Sequence, residues 1–186
     1  MKLYVAEVGD VDEAVIRDLE ARIGERFAGW DVSRLGERLE VAGTWDEGRR
    51  QFASTELLRR VVAALPADGS KIVGVTECDL FIPMLSFLFG QAQVGGPAAL
   101  VSLARLRPEF YGLAAAPDVV RERARKECFH ELGHAFGLVH CEDRECVMSL
   151  STTLAQVDEK GDEYCEGCGG KAEVRGFAKG RSEERE

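Results

Sequence analysis

The amino-acid sequence predicts an α/β protein built around a twisted mixed sheet. Lys2–Val8 alternates, is rich in apolar types and reads as a strand, and the short, continuously apolar Lys71–Thr76 (KIVGVT) reads as a buried one. They alternate with longer segments whose apolar residues recur every three or four positions, as on one face of a helix. Strand, helix and strand in that order require crossover connections, and hence a sheet with helices packed on it.

Each element has its own signal. Between Asp12 and Phe27, the residues Val15, Leu19, Ile23 and Phe27 step by four and predict a helix. Trp30–Val41 is a weaker extended stretch. Phe52–Leu65 predicts a second helix on Leu57, Leu58, Val61, Val62 and Leu65, closed by Pro66 and Gly69. Asp79–Gln93 is apolar and aromatic, and Pro83 with the nearby glycines places 80–93 at the sheet edge. After a break at Val94–Pro97, Ala98–Leu106 predicts another strand. Pro117 and Asp118 open the next helix, with Asp118 as its cap; it runs to about Phe136 and stops at Gly137. Beyond Gly137 the chain reads as loop, with cysteines in place of an apolar core. The closing KAEVRGFAKGRSEERE reads as a frayed tail.

These signals divide the chain into residues 1–136, an α/β subdomain that includes the third helix, and 137–186, a small C-terminal subdomain. Hydrophobic residues make up 45% of the 186, enough for an ordinary core. No run approaches the roughly 20 apolar residues of a membrane span. The first residues lack the long apolar segment of a secretory leader and look like a core strand rather than a removable pro-segment, so a cytoplasmic protein is expected. The net charge of −9 repels phosphate backbones and disfavours nucleic acid as a partner. A monomer is expected.

The chemistry concentrates in one stretch. All three histidines lie between His130 and His140. In His130-Glu131-Leu132-Gly133-His134 the two imidazoles are four residues apart and share a helix face, a spacing that grips one zinc ion. Glu131 points elsewhere around the helix and is the candidate general base for a zinc-activated water. Gly133 allows close backbone packing. Gly137 suits a left-handed helix end, which would swing His140 back as third ligand and leave one position open. Next come Cys141 and Cys146, then the C-x-x-C pair Cys165 and Cys168, followed by Gly. Two such pairs in a cytoplasmic chain suit a closed, four-thiolate structural zinc. Two zinc ions per chain are therefore expected. Cys78 and Cys128 read as buried thiols.

The run from His130 to Cys168 resembles the signature of the archaemetzincins, a metzincin branch with a second, cysteine-bound zinc. GVTECDLF at Gly74–Phe81, FLFGQA at Phe87–Ala92 and SLARL at Ser102–Leu106 resemble it too. The spacer from Met148 to Cys165 is slightly shorter than the family's. The resemblance implies a metzincin fold, with an upper N-terminal α/β subdomain and a small lower one flanking a cleft. It implies that Met148 is the Met-turn residue, an apolar floor under the catalytic zinc. It also implies an edge strand that pairs with an extended peptide, for which 83–94 is the candidate. The function so implied is a zinc metallopeptidase acting on peptides or proteins, with aminopeptidase specificity among those open to it. The alternative is a zinc-stabilised peptide-binding module with little or no hydrolysis. A zinc-finger-like nucleic-acid adaptor is disfavoured by the acidic charge.

Overall fold

A computed structural model describes residues 1–171; the frayed tail expected at the C-terminus lies outside the described residues except for Lys171. β1 (Lys2–Val8) leads through α1 (Glu13–Arg26) to β2 (Asp31–Arg34). β3 (Trp45–Asp46) and β4 (Gln51–Ala53) run into α2 (Ser54–Ala63). β5 (Lys71–Thr76), β6 (Leu80–Ile82), β7 (Leu85–Leu88), β8 (Gly90–Ala92) and β9 (Ala98–Ser102) follow. Two 3₁₀ turns, Ala104–Leu106 and Pro108–Tyr111, precede α3 (Pro117–Ala135), and α4 (Leu154–Glu159) and α5 (Glu166–Lys171) complete the described chain.

The main sheet has the order β2-β1-β5-β9-β8, with four parallel strands and an antiparallel edge strand, β8. Helices cover both faces, which is why β1 and β5 are apolar without alternation. Leu3, Val5, Val73 and Val75 face the cluster that holds Val15, Leu19 and Ile23 of α1 and Val120, Ala124 and Leu132 of α3. Tyr4, Ala6, Val8 and Ile72 face Leu57, Leu58 and Val61 of α2. Gly74 lets α2 approach, since a Cβ there would lie 2.6 Å from Val61 Cγ2.

The expected strands Lys2–Val8 and Lys71–Thr76 and the first helix form where the sequence placed them. Asp12 caps α1, its carboxylate accepting from the Ala14 N–H at 2.9 Å. Other expectations shift. The second helix begins at Ser54, because Phe52 pairs with Leu80 and Trp45 in a second, four-stranded sheet of order β3-β4-β6-β7. The strand expected over Ala98–Leu106 stops at Ser102, whose hydroxyl turns to donate to Cys78 O at 2.6 Å. The single edge segment expected at 83–94 is divided: β7 belongs to the second sheet and only β8 edges the main one.

Asp118 does not cap α3. Ala116 holds that position with no side-chain bond, and Pro117 sets the first turn, where the Asp118 charge favours the helix dipole. Nor is the segment after Gly137 free of apolar core. Val147, Met148, Val157 and Cys168 are buried in the same cluster as α1 and α3. A capping box, Thr153 with Gln156, starts α4.

Candidate metal centre

The last two turns of α3 carry His130 and His134, and His140 follows the helix end. His130 Nε2 lies 3.2 Å from His134 Nε2, which lies 3.3 Å from His140 Nε2. A tetrahedral ion bound at about 2.0–2.1 Å would separate its nitrogen ligands by roughly 3.3–3.4 Å, so the group fits zinc. The outward nitrogens explain the aim. His130 Nδ1 is 2.8 Å from Val147 O, and His134 Nδ1 is 2.8 Å from Leu138 O. A carbonyl only accepts, so each Nδ1 bears the proton and each Nε2 lone pair faces the common point. Burial pushes the pKa of all three imidazoles down, most strongly at His130, where the Lys160 ammonium adds to the effect. Neutral imidazole is the metal-binding form.

The helix end brings His140 round. The Leu138 N–H donates to Gly133 O at 2.9 Å and the Gly137 N–H to His134 O at 2.8 Å, a Schellman reversal with Gly137 at φ +91°. Lys71 closes it from outside, its ammonium donating to Ala135 O at 2.6 Å and Gly96 O at 2.7 Å.

Gly133 sits against Met148: a Cβ on it would lie 2.3 Å from Met148 Sδ and 3.1 Å from Tyr164 Cε1. Gly133→Ala should therefore destabilise the protein. Overpacking costs about 1–3 kcal/mol, against a helix-propensity gain of about 1 kcal/mol. A melting temperature at or above the parent's would refute the close packing.

Glu131 is buried, with its carboxyl against the edge strand; a Cβ on Gly90 would lie 2.6 Å from Glu131 Oε1. Burial raises its pKa well above the usual carboxylate range, Glu127 adds to the rise, and Lys160 opposes it. Glu131 and the three histidines line one cleft of about 450 Å³. Phe87, Phe89, β8, Leu150, Ser151 and Thr152 also line it.

The cysteines make a second group. Sγ atoms of Cys141, Cys146, Cys165 and Cys168 all lie within 4.8 Å of one another, with Cys141 and Cys165 at 3.7 Å. Four thiolates around an ion at about 2.3 Å stand roughly 3.8 Å apart, so this set also fits zinc. His140 and Cys141, neighbours in the chain, belong to different groups. Cys78 and Cys128 join neither; burial pushes both thiols up, and Cys128 is fully buried. Glu127 and Lys160, paired behind His130, were not foreseen.

A family model for peptidase family M54 matches residues 63–173. The chain belongs to that family. Archaemetzincin of Methanocaldococcus jannaschii is 40% identical over 178 residues, spanning 95% of this chain and 96% of that protein. The crystal structure of archaemetzincin from Methanopyrus kandleri superposes with a TM-score of 0.77 at 33% identity, over 90% of this chain and 91% of the other. That of Archaeoglobus fulgidus archaemetzincin, complexed with malonate, gives 0.78 at 30% identity over 91% and 99%. This member of M54 is thus a zinc metallopeptidase with the metzincin-like α/β fold that the sequence implied. No helix among its described residues is long and apolar enough to cross a membrane.

Proposed function

We propose that His130, His134 and His140 hold the catalytic zinc, that Glu131 is the general base, and that Cys141, Cys146, Cys165 and Cys168 hold a second, structural zinc. The observation that carries this reading is the convergence of three Nε2 atoms at 3.2–3.3 Å separations, with the outward nitrogens of His130 and His134 tied to backbone carbonyls. When bound, zinc supplies Lewis acidity that polarises the scissile carbonyl and acidifies water. Glu131 takes the proton of the attacking water and passes it to the leaving nitrogen. Among the described residues no strand pairs with the outer edge of β8, which would accept an extended peptide, and Gly90 keeps that strand close to the Glu131 carboxyl. Met148 is fully buried against Gly133, one residue before His134, and would floor the histidine group. Residues of 1–136 line the cleft together with His140, Leu150, Ser151 and Thr152 of the C-terminal part.

The retained carboxylate at position 131 favours hydrolysis over a peptide-binding module. Four of the cysteines are close enough to share one metal ion, a use of thiols that supports a cytoplasmic protein. The net charge of −9 supports action on peptides rather than nucleic acid, and we take the chain to act as a monomer.

Zinc-loaded protein should cleave members of a broad peptide library, and a peptide hydroxamate should inhibit it. Glu131 must be ionised to act. The rate should therefore fall at acid pH, where Glu131 and the histidine ligands become protonated. A library left uncut, together with no hydroxamate binding, would establish the binding-module reading instead.

A further inference from the structure

Behind the histidine group lies a buried ion pair that the reaction itself does not use. Lys160, at the end of α4, places Nζ 2.8 Å from Glu127 Oε1, with side chains 1% and 4% exposed. Glu127 lies on α3, one turn before Glu131, and lines the same cleft. The same ammonium is 3.4 Å from His130 Nδ1. That nitrogen already donates to Val147 O, so the ammonium bears on the back of the imidazole without a hydrogen bond to it.

Taking two ions out of water is costly, and an apolar pair often serves stability as well or better. This pair stands one imidazole width from the point where the three Nε2 atoms meet. At that range and burial, an isolated cation would repel a divalent ion, and an isolated carboxylate would attract one.

We propose that Glu127 is a positioning residue acting through Lys160: it takes up the ammonium's charge behind His130, so that Lys160 can brace α4 against α3 while the histidine group still accepts a divalent cation. The inference rests on the histidine ligand assignment made above.

The test is a cobalt(II) titration of the full chain against a competing chelator. Thiolate charge-transfer bands report the cysteine group and the fold around it, and the weaker d–d absorption left after the four-thiolate contribution is subtracted reports the histidine group. E127Q should weaken cobalt at the histidine group by about tenfold or more. K160M should bind as tightly as the parent or more tightly. The neutral pair E127Q/K160M should return to within about threefold of the parent, because each change removes what the other left uncompensated. A purely structural pair would weaken binding in both single variants.

Equal weakening in both single variants, no change in either, or a double variant worse than both would overturn the inference. If E127Q loses its thiolate bands, the other two variants decide: K160M weaker than the parent overturns it, and both at or above the parent support it. A parent whose histidine group takes no cobalt would bring down the ligand assignment and this inference together. A parent that binds, with both single variants shifting the same way, would bring down this inference alone.

Discussion

Glu131→Gln should retain the metal of the histidine group and lose nearly all peptide hydrolysis, whereas His134→Ala should lose both. Glu131 belongs to neither metal-binding group, and its carboxyl rests against β8 in the cleft. Glutamine fills the same space but cannot take a proton. General acid–base assistance contributes roughly 10²–10⁴-fold, and that is the expected fall in kcat, with little change in KM or zinc content. His134 is the middle member of the trio, within 3.3 Å of both partners. Its removal leaves two imidazoles. Steady-state kinetics alongside metal analysis separates the cases, and equal zinc loss in the two variants would refute the role given to Glu131.

The second large effect is expected at the cysteines. The parent should carry two zinc ions, and replacing Cys165 and Cys168 together with Ser should remove one. Structural zinc binding is folding free energy. A loss of about 3 kcal/mol or more, and a fall in melting temperature of about 6–12 °C or more, should follow in a chain of this size. The reason is local: Val147 and Met148, next to Cys146, are buried in the main core, and Val147 O orients His130. Native mass spectrometry and thermal unfolding provide the readout. One metal in the parent, kept by the double variant, would exclude a four-cysteine site.

How much of this could be read in advance depends on which physical signal each element leaves. β1, α1 and β5 were legible because burial on two faces, or on one helical stripe, writes a pattern over six residues or more. β3 and β4, of two and three residues, are too short for any period; they exist because Phe52 has Leu80 and Trp45 to pair with. Helix propensity in the same segment gave way to that pairing. The histidine and cysteine groups stood out because metal chemistry restricts residue type and spacing. Their supports did not, since Val147 O and Leu138 O are backbone atoms that any residue would provide. Glu127 carries no mark of its own in the sequence, although it lies one turn before Glu131 on the same helix. Lys160 left no local trace, because it is buried only when the fold brings it against Glu127 and His130 of α3.

The direct bond between His140 and Cys141 places consecutive residues in two different metal-binding groups. On the proposed assignment, no slack separates the two ions along the chain. Filling the thiolate group fixes the backbone at Cys141 and removes most of the freedom His140 would have to surrender on closing the histidine group. The ordering entropy is then shared, and whichever ion arrives first lowers the cost for the other. On that assignment metal loading would be positively cooperative, and a chain short of zinc would hold fewer half-loaded molecules than two independent sites would give.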